Sequence, residues 1–125
     1  MGIKDYRDLE IWKRSMDLVE AVYESTRSMP KEEVYGLTAH LRKTAVSIPS
    51  NIAEGFARSY AKEYRQFLFV SLGSCAELNT QVLIAVRLKY LDPEKAAFMS
   101  QEIDVISRMT MALIKKLDQR PETSD

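Results

Sequence analysis

The sequence has little of what builds disulfide-linked, metal-binding or phosphate-binding proteins. It contains one cysteine in 125 residues, so an internal disulfide is excluded. His40 is the one histidine, and zinc-ligand spacings, glycine-rich phosphate loops and a Ser-His-Asp set are absent. No stretch shows the two-residue alternation of a half-buried strand. These absences predict an all-α protein with no catalytic residues, no metal site and no cofactor.

The sequence also has no excess of positive or of negative charge. The 18 basic residues cancel the 18 acidic residues, and the pI is near 6.6. No overall field therefore draws the chain to nucleic acid or to an anionic membrane, and such binding would need a local patch. Residues 1–7 lack the apolar core of a signal peptide. We therefore expect a cytoplasmic protein.

Four stretches carry the helical period. They predict helices over residues 8–29, 32–57, 60–90 and 93–118, followed by a frayed tail over residues 119–125, all in one domain spanning residues 1–125. Asp8, Ser59 and Asp92 are candidate N-caps, and Pro30 and Gly55 mark stops. Because the connections are short, the predicted architecture is an antiparallel up-down-up-down four-helix bundle.

The first helix carries two apolar rows. Its uncharged arc covers about 180°, whereas roughly 100° is enough to line a helix's own core. The second row is therefore predicted to meet another subunit, and the alternative is a helix buried deeply in a single core. The first row contains Leu9, Trp12, Met16, Val19 and Tyr23, and the second contains Ile11, Leu18 and Val22.

The third helix has more apolar surface than a monomer covers easily. Between Gln66 and Val86 the one charged residue is Glu77. Seven polar residues in this run argue against a membrane span, so we expect no membrane partner. Burial in a symmetric homo-oligomer would cover the surface instead, with Phe69, Val70 and Ile84 as further interface candidates.

Pro49 interrupts the helical rhythm of the second helix without ending it. A proline inside a helix removes one backbone hydrogen bond and costs about 3 kcal/mol. Ser50 and Asn51 follow it and are candidates to satisfy the freed carbonyl of Ala45. Pro49 and Ser50 are therefore predicted to have structural roles.

The same helix carries a polar stripe, and two interpretations of it stay open. The stripe is a candidate surface for RNA or an acidic partner, because the helix is locally basic. The other interpretation is a solvated face or a ladder of hydrogen bonds between subunits. The polar stripe consists of His40, Lys43, Ser47, Asn51, Glu54 and Arg58.

Glu77 lies among apolar residues, so its carboxylate needs a partner or a proton. One hypothesis pairs Glu54 and Glu77 as an acid and a base. The other treats each as a buried anchor that fixes helix register or a subunit contact, with Arg42, His40 or Asn51 as its partner. The anchor is favoured, because no nucleophile accompanies the two carboxylates.

Several motifs carry a family resemblance. They are Asp8-Leu9-Glu10-Ile11-Trp12, Tyr35-Gly36-Leu37-Thr38, the nine-residue string from Ser47 to Gly55, and Phe67-Leu68 ahead of Gly73-Ser74 and Glu77-Leu78. This pattern resembles the bacterial 23S ribosomal RNA intervening-sequence proteins. The resemblance implies an up-down-up-down bundle, a homopentameric ring with a central pore, and no established enzymatic activity. A more distant relative, the basic accessory protein of diversity-generating retroelements, binds nucleic acid and a reverse transcriptase, but the present chain is electrically balanced.

Two functions therefore stay open at the level of sequence. The first is a non-catalytic oligomeric scaffold that binds RNA, DNA or a ribonucleoprotein. The second is a protein-protein interaction ring with no nucleic-acid role.

Overall fold

The computed structural model describes residues 2–119. Its four α-helices are α1 (Glu10–Thr26), α2 (Leu37–Phe56), α3 (Ala61–Arg87) and α4 (Pro93–Asp118). Single 3₁₀ turns precede α1 and α2, and no strand occurs between residues 2 and 119. The predicted all-α chain with four helices is thus confirmed. Of the tail predicted to fray, residues 120–125 lie outside the described residues.

The first two helices begin later than predicted because a 3₁₀ turn occupies the preceding residues. Before α1, the Asp5 carboxylate accepts the backbone N–H of Arg7 at 2.8 Å, which places Asp8 inside a turn over Tyr6–Asp8 rather than at the cap of α1. Before α2, Lys31–Glu33 forms a turn, and the Glu33 carboxylate accepts the Leu37 N–H at 3.0 Å. Glu32 and Glu33, which the predicted bounds of 32–57 place inside the second helix, therefore precede α2, whose N-cap residue is Gly36.

The boundary between α3 and α4 follows ordinary stop and start signals. Lys89 adopts a left-handed backbone conformation with φ 64°, and the Tyr90 N–H donates to the Ala85 carbonyl at 2.8 Å. These two features end α3 at Arg87, three residues before the predicted end. At the start of α4, Asp92 accepts the Lys95 N–H at 3.4 Å with Pro93 in the first turn, so the predicted Asp92 cap is confirmed.

The four helices enclose one apolar core. Each helix packs against the next one along the chain, and α1 also packs against α4, which closes a four-helix bundle. All four helices supply side chains that are essentially inaccessible to solvent, including Leu18, Leu41, Ile48, Ile52, Leu68, Leu78, Val82, Ile106 and Ile114.

The prediction that the second row of α1 meets another subunit is wrong. Ile11, Leu18 and Val22 are only 4%, 2% and 1% exposed, because this row points into the core of its own bundle. In the other row, Met16 and Tyr23 are each 40% exposed. Both rows have the same period, so the helical wheel shows their angular separation without showing which one faces inward.

The outer face of α3 is apolar over much of its length. Phe69, Val70, Leu83 and Ile84, which we call the α3 ridge, are between 43% and 53% exposed. By length and composition α3 could also cross a membrane, but a core helix of a soluble bundle meets the same criterion. The three interface candidates on α3 therefore lie on accessible surface of the single chain.

Close packing of α2 against the start of α3 explains Gly55. A Cβ atom on Gly55 would lie 2.7 Å from Cβ of Phe67 and 3.2 Å from the carbonyl oxygen of Tyr64, which is closer than packed atoms allow. Gly73, in the middle of α3, has open space around the same position. The chain thus offers two helical glycines with opposite surroundings.

We expect Gly55→Ala and Gly73→Ala to change stability in opposite directions. Gly55→Ala should lower the free energy of unfolding by about 1–3 kcal/mol, since overpacking outweighs the gain in helix propensity. In the single chain, where the added Cβ meets open space, Gly73→Ala should raise it by about 0.5–1 kcal/mol. Urea unfolding followed by circular dichroism, at one protein concentration, measures both. Stabilisation by Gly55→Ala would show that the two helices are not in close contact there.

Candidate interface on α2 and α3

The middle of the polar stripe is bonded to α3 and to its own helix. Oγ of Ser47 lies 2.8 Å from Oγ of Ser74 on α3 and 2.6 Å from the carbonyl oxygen of Thr44. Nδ2 of Asn51 donates to the Ser47 carbonyl at 2.7 Å. Both side chains are only partly exposed. In the central part of the stripe, Ser47 therefore links α2 to α3, whereas Asn51 bonds within α2.

The ends of the stripe are accessible. Arg58 pairs with Glu54 one turn earlier at 3.1 Å, and its guanidinium lies 4.8 Å from the ring centroid of Phe67. His40 and Lys43 are exposed at the other end. The six residues therefore do not converge on one site: Ser47 bonds to α3, Asn51 bonds within α2, two pair with each other, and two face solvent.

The backbone around Pro49 is supported from α3. Helix α2 continues through Pro49, as predicted, and Pro49 is buried. The hydroxyl of Ser71, which is fully buried on α3, donates to the Ile48 carbonyl at 3.1 Å. Ser50 is exposed. The prediction that Ser50 or Asn51 satisfies the Ala45 carbonyl is therefore wrong: Asn51 donates to the Ser47 carbonyl, and Ser50 faces outward.

An apolar groove runs between α1 and α2 beside Pro49. It has a volume of about 310 Å³. The rings of Tyr6 and Trp12 meet edge to face at one side, with centroids 5.4 Å apart. We call it the Pro49 groove, and it is lined by Tyr6, Trp12, Met16, Val19, Val46, Pro49, Ser50 and Ala53.

Glu77 is exposed, so the predicted buried anchor is wrong for the single chain. It lies on the same outward face as the α3 ridge, and Gln81 one turn later donates to its carboxylate at 3.4 Å. Arg42, a candidate partner, instead donates to the Thr26 hydroxyl at 2.9 Å. The residues next to Glu77 in the sequence are apolar, but some lie on the inner face of α3 and others on its outer face. The order of residues in the sequence does not show this division.

Other reactive groups give no sign of a chemical centre. Cys75 is buried in the core, and this burial raises the pKa of its thiol. Among residues 2–119, no group of three or more histidine, cysteine, aspartate and glutamate side chains is placed to hold a metal ion. Glu54 bonds to Arg58 just after the end of α2, and Glu77 bonds to Gln81 on α3, so the two carboxylates do not meet each other.

The outer faces of the four helices differ in character. On α1 and α4 they are rich in charge, with Lys13, Asp17, Glu20, Asp104 and Arg108 exposed. On α3 the outer face is the apolar ridge, and on α2 it carries Ala39, Val46 and Ser50 together with the charged Lys43 and Glu54. The α3 ridge and the Pro49 groove are thus the surfaces best suited to an apolar contact.

The Pro49 groove is the feature that sequence reasoning missed. Its walls come from two helices, so no periodicity within either helix marks it. One signal was present, because Trp12, Met16 and Val19 form a row that the chain's own core does not fully cover. Val46 and Ala53, seven residues apart, similarly share one face of α2.

Comparisons with known proteins agree with this architecture. Residues 7–112 match the model of a family described as 23S rRNA-intervening sequence protein. No match is found among curated proteins. A crystal structure of a protein of unknown function from the S23 ribosomal protein family of Bacteroides thetaiotaomicron VPI-5482 superposes with a TM-score of 0.78 at 14% identity, covering 84% of this chain and 98% of that one. At this identity, the structural likeness concerns the fold alone.

We expect the Ser47 and Ser74 hydroxyls to be coupled. In a double-mutant cycle, Ser47→Ala and Ser74→Ala should each lower the free energy of unfolding by about 0.5–1.5 kcal/mol, and the double variant should lose clearly less than their sum. His40→Ala, on the exposed end of the same stripe, serves as control and should stay within about 0.5 kcal/mol of wild type. Strictly additive losses would mean that the two hydroxyls do not interact.

Proposed function

The chain belongs to the 23S rRNA-intervening sequence protein family, and on that premise we propose that it is a non-catalytic scaffold subunit that works as a ring-shaped homo-oligomer. The observation that carries the proposal is the α3 ridge, four large apolar side chains that are about half exposed on one helix face. A scaffold of this kind would use its apolar outer faces for self-assembly. The charged outer faces of α1 and α4 would then meet another macromolecule.

Contacts between helices support an antiparallel arrangement within each subunit. Arg42, near the start of α2, bonds to Thr26 at the end of α1. Arg65, near the start of α3, pairs with Asp118 at the end of α4 at 2.9 Å. Each contact joins the beginning of one helix to the end of another, as an up-down-up-down bundle requires.

Self-assembly is favoured by the energetics of apolar surface. Fully burying a leucine or phenylalanine side chain contributes about 1.5–3 kcal/mol, so covering one that is half exposed contributes roughly half of that. Four such residues on one face give several kcal/mol per contact before the cost of association. Five copies per ring are proposed from the family resemblance.

The apolar face of α3 also raises the question of a membrane, and we propose that it meets protein instead. The exposed carboxylate of Glu77 lies midway along this face, between the Phe69–Val70 pair and the Leu83–Ile84 pair. A charge at that depth of a bilayer is costly. In a contact between proteins, a polar or basic group can meet it.

A non-catalytic role is proposed because the titratable groups are used for packing or for surface ion pairs. Glu54 pairs with Arg58, and Asp104 pairs with Arg108. The thiol of Cys75 is held in the core. We infer no bond-making step from such an arrangement.

Nucleic-acid binding is a second candidate function, and one observation favours it. The Arg65–Asp118 pair brings the start of α3 beside the end of α4, and Lys62, Lys115 and Lys116 are exposed near this end. A ring would repeat this lysine group once per subunit and so concentrate positive charge on one rim. The competing proposal, a ring that binds only protein, follows from the zero net charge of the chain.

We expect the purified wild-type chain to have a mass in solution of several times 14.3 kDa, with five subunits as the specific prediction. Size-exclusion chromatography with light scattering, repeated over a dilution series, measures this mass. A particle of 14.3 kDa at every concentration would contradict the scaffold proposal.

For the nucleic-acid candidate, we expect retention of RNA or DNA on a filter at low ionic strength, decreasing as salt is added. The Lys115→Glu/Lys116→Glu variant should bind more weakly and show a salt slope lower by about one for each phosphate that it no longer neutralises. The matched control is Lys31→Glu/Lys89→Glu, which makes the same charge change at exposed positions in the connections at the other end of the bundle. If wild type shows no retention that depends on salt, the protein-only ring is favoured.

A further inference from the structure

The α3 ridge and the Pro49 groove have complementary shapes. The ridge is convex and lies on α3, whereas the groove is concave and lies between α1 and α2. We propose that these two surfaces form one contact, in which α3 of one copy lies antiparallel along α2 of the next copy. The inference rests on the proposed self-assembly and adds which residues meet.

Charges fix the register of the proposed contact. The ridge carries one carboxylate, Glu77, and the outer face of α2 carries the exposed ammonium group of Lys43. Val70 is seven residues before Glu77, and Ser50, in the groove, is seven residues after Lys43. At a rise of about 1.5 Å per residue, both separations are about 10 Å. When Glu77 meets Lys43 in an antiparallel pair, Val70 therefore reaches the Pro49 groove.

The same register brings further partners together at both ends. In an antiparallel pair the residue numbers of facing positions have a constant sum, here near 120. Leu83 and Ile84 then face the connection before α2, where Tyr35 is 93% exposed. Towards the two ends, Arg87 faces the exposed Glu32, and Arg58 faces the adjacent Lys62 and Glu63, whose charges are opposite. One register thus gives two pairs of opposite charge and two apolar contacts.

A two-fold contact between two α3 ridges is less favourable, because it brings like charges together. Val70 and Ile84 are each seven residues from Glu77, so two ridges could pack face to face. That packing would place Glu77 against its own copy, and two carboxylates would repel each other in an apolar contact. A contact between ridge and groove avoids this repulsion. Because it joins two different surfaces, it can repeat from copy to copy and close a ring.

The test uses charge reversal and its rescue, with mass in solution as the readout. Lys43→Glu and Glu77→Lys should each lower the mass from that of the wild-type oligomer towards the 14.3 kDa of a single chain. The double variant should recover the mass of the wild-type oligomer. Both residues are exposed in the single chain, and circular dichroism checks that the helices remain. Lys13→Glu, on the charged face of α1, is the matched control and should leave the mass unchanged.

A mixing experiment distinguishes the contact of two different surfaces from the two-fold contact. Val70→Asp damages the ridge and Val46→Asp damages the groove, so each variant alone should be a monomer. When they are mixed, the intact ridge of one and the intact groove of the other should form a 1:1 pair with twice the single-chain mass. A two-fold ridge contact predicts instead that Val46→Asp dimerises alone and that the mixture contains no such heterodimer.

The outcomes separate this inference from the proposed function. If wild type is a monomer, self-assembly and the contact both fail. If wild type is an oligomer and both charge reversals keep its mass, the ridge-groove contact is wrong while self-assembly stands. A lower mass in both single variants with recovery in the double variant supports the contact. A lower mass in both without recovery contradicts the Glu77–Lys43 pairing.

Discussion

The close approach of α2 and α3 is the constraint on which the rest of the structure depends. Where these helices meet, Gly55 lies against Phe67 and Tyr64 and leaves no room for even one added carbon. Ser47 meets Ser74, and Ser71 donates to the backbone of α2 beside Pro49. These bonds fix the rotation of α3, and that rotation determines which of its residues point outward.

The exposed apolar surface follows from that rotation. With Ser71 and Ser74 turned towards α2 and Leu68, Leu78 and Val82 in the core, α3 has Phe69, Val70, Leu83 and Ile84 on the outer face. The charged faces of α1 and α4 show that the chain can keep a helix surface polar. The contrast between the two halves of the bundle is therefore a property of this sequence, and it supports assembly through α2 and α3.

Much of the fold could be predicted from local signals. The period of the apolar residues predicts the four helices that the structure shows, and it predicts that α2 continues through Pro49. The predicted cap of α4 by Asp92 is also present. The starts of α1 and α2 were wrong because Asp5 and Glu33 act on turns that precede the helices. Such caps depend on where a short turn ends, which periodicity does not specify.

The candidate site was harder to predict, because its residues act across helices. Spacing placed Ser47 and Asn51 on one stripe, but the partner of Ser47 lies on α3, so its packing role depends on the rotation of both helices. The same limit applies to the second row of α1 and to Glu77: the period groups residues into faces, and tertiary packing decides which face is buried. The Pro49 groove forms only where α1 and α2 meet, so the pattern of one helix alone does not predict it.

The most direct test of the central claim compares two phenylalanines in the intact protein. Phe69 on the α3 ridge and Phe98 on α4 are 50% and 58% exposed in the single chain, and both have the same intrinsic reactivity. Hydroxyl-radical footprinting of wild type, read by mass spectrometry, should oxidise Phe98 several-fold faster than Phe69, since another copy covers the ridge. Equal oxidation rates at concentrations suited to assembly would contradict the claim that α3 is covered.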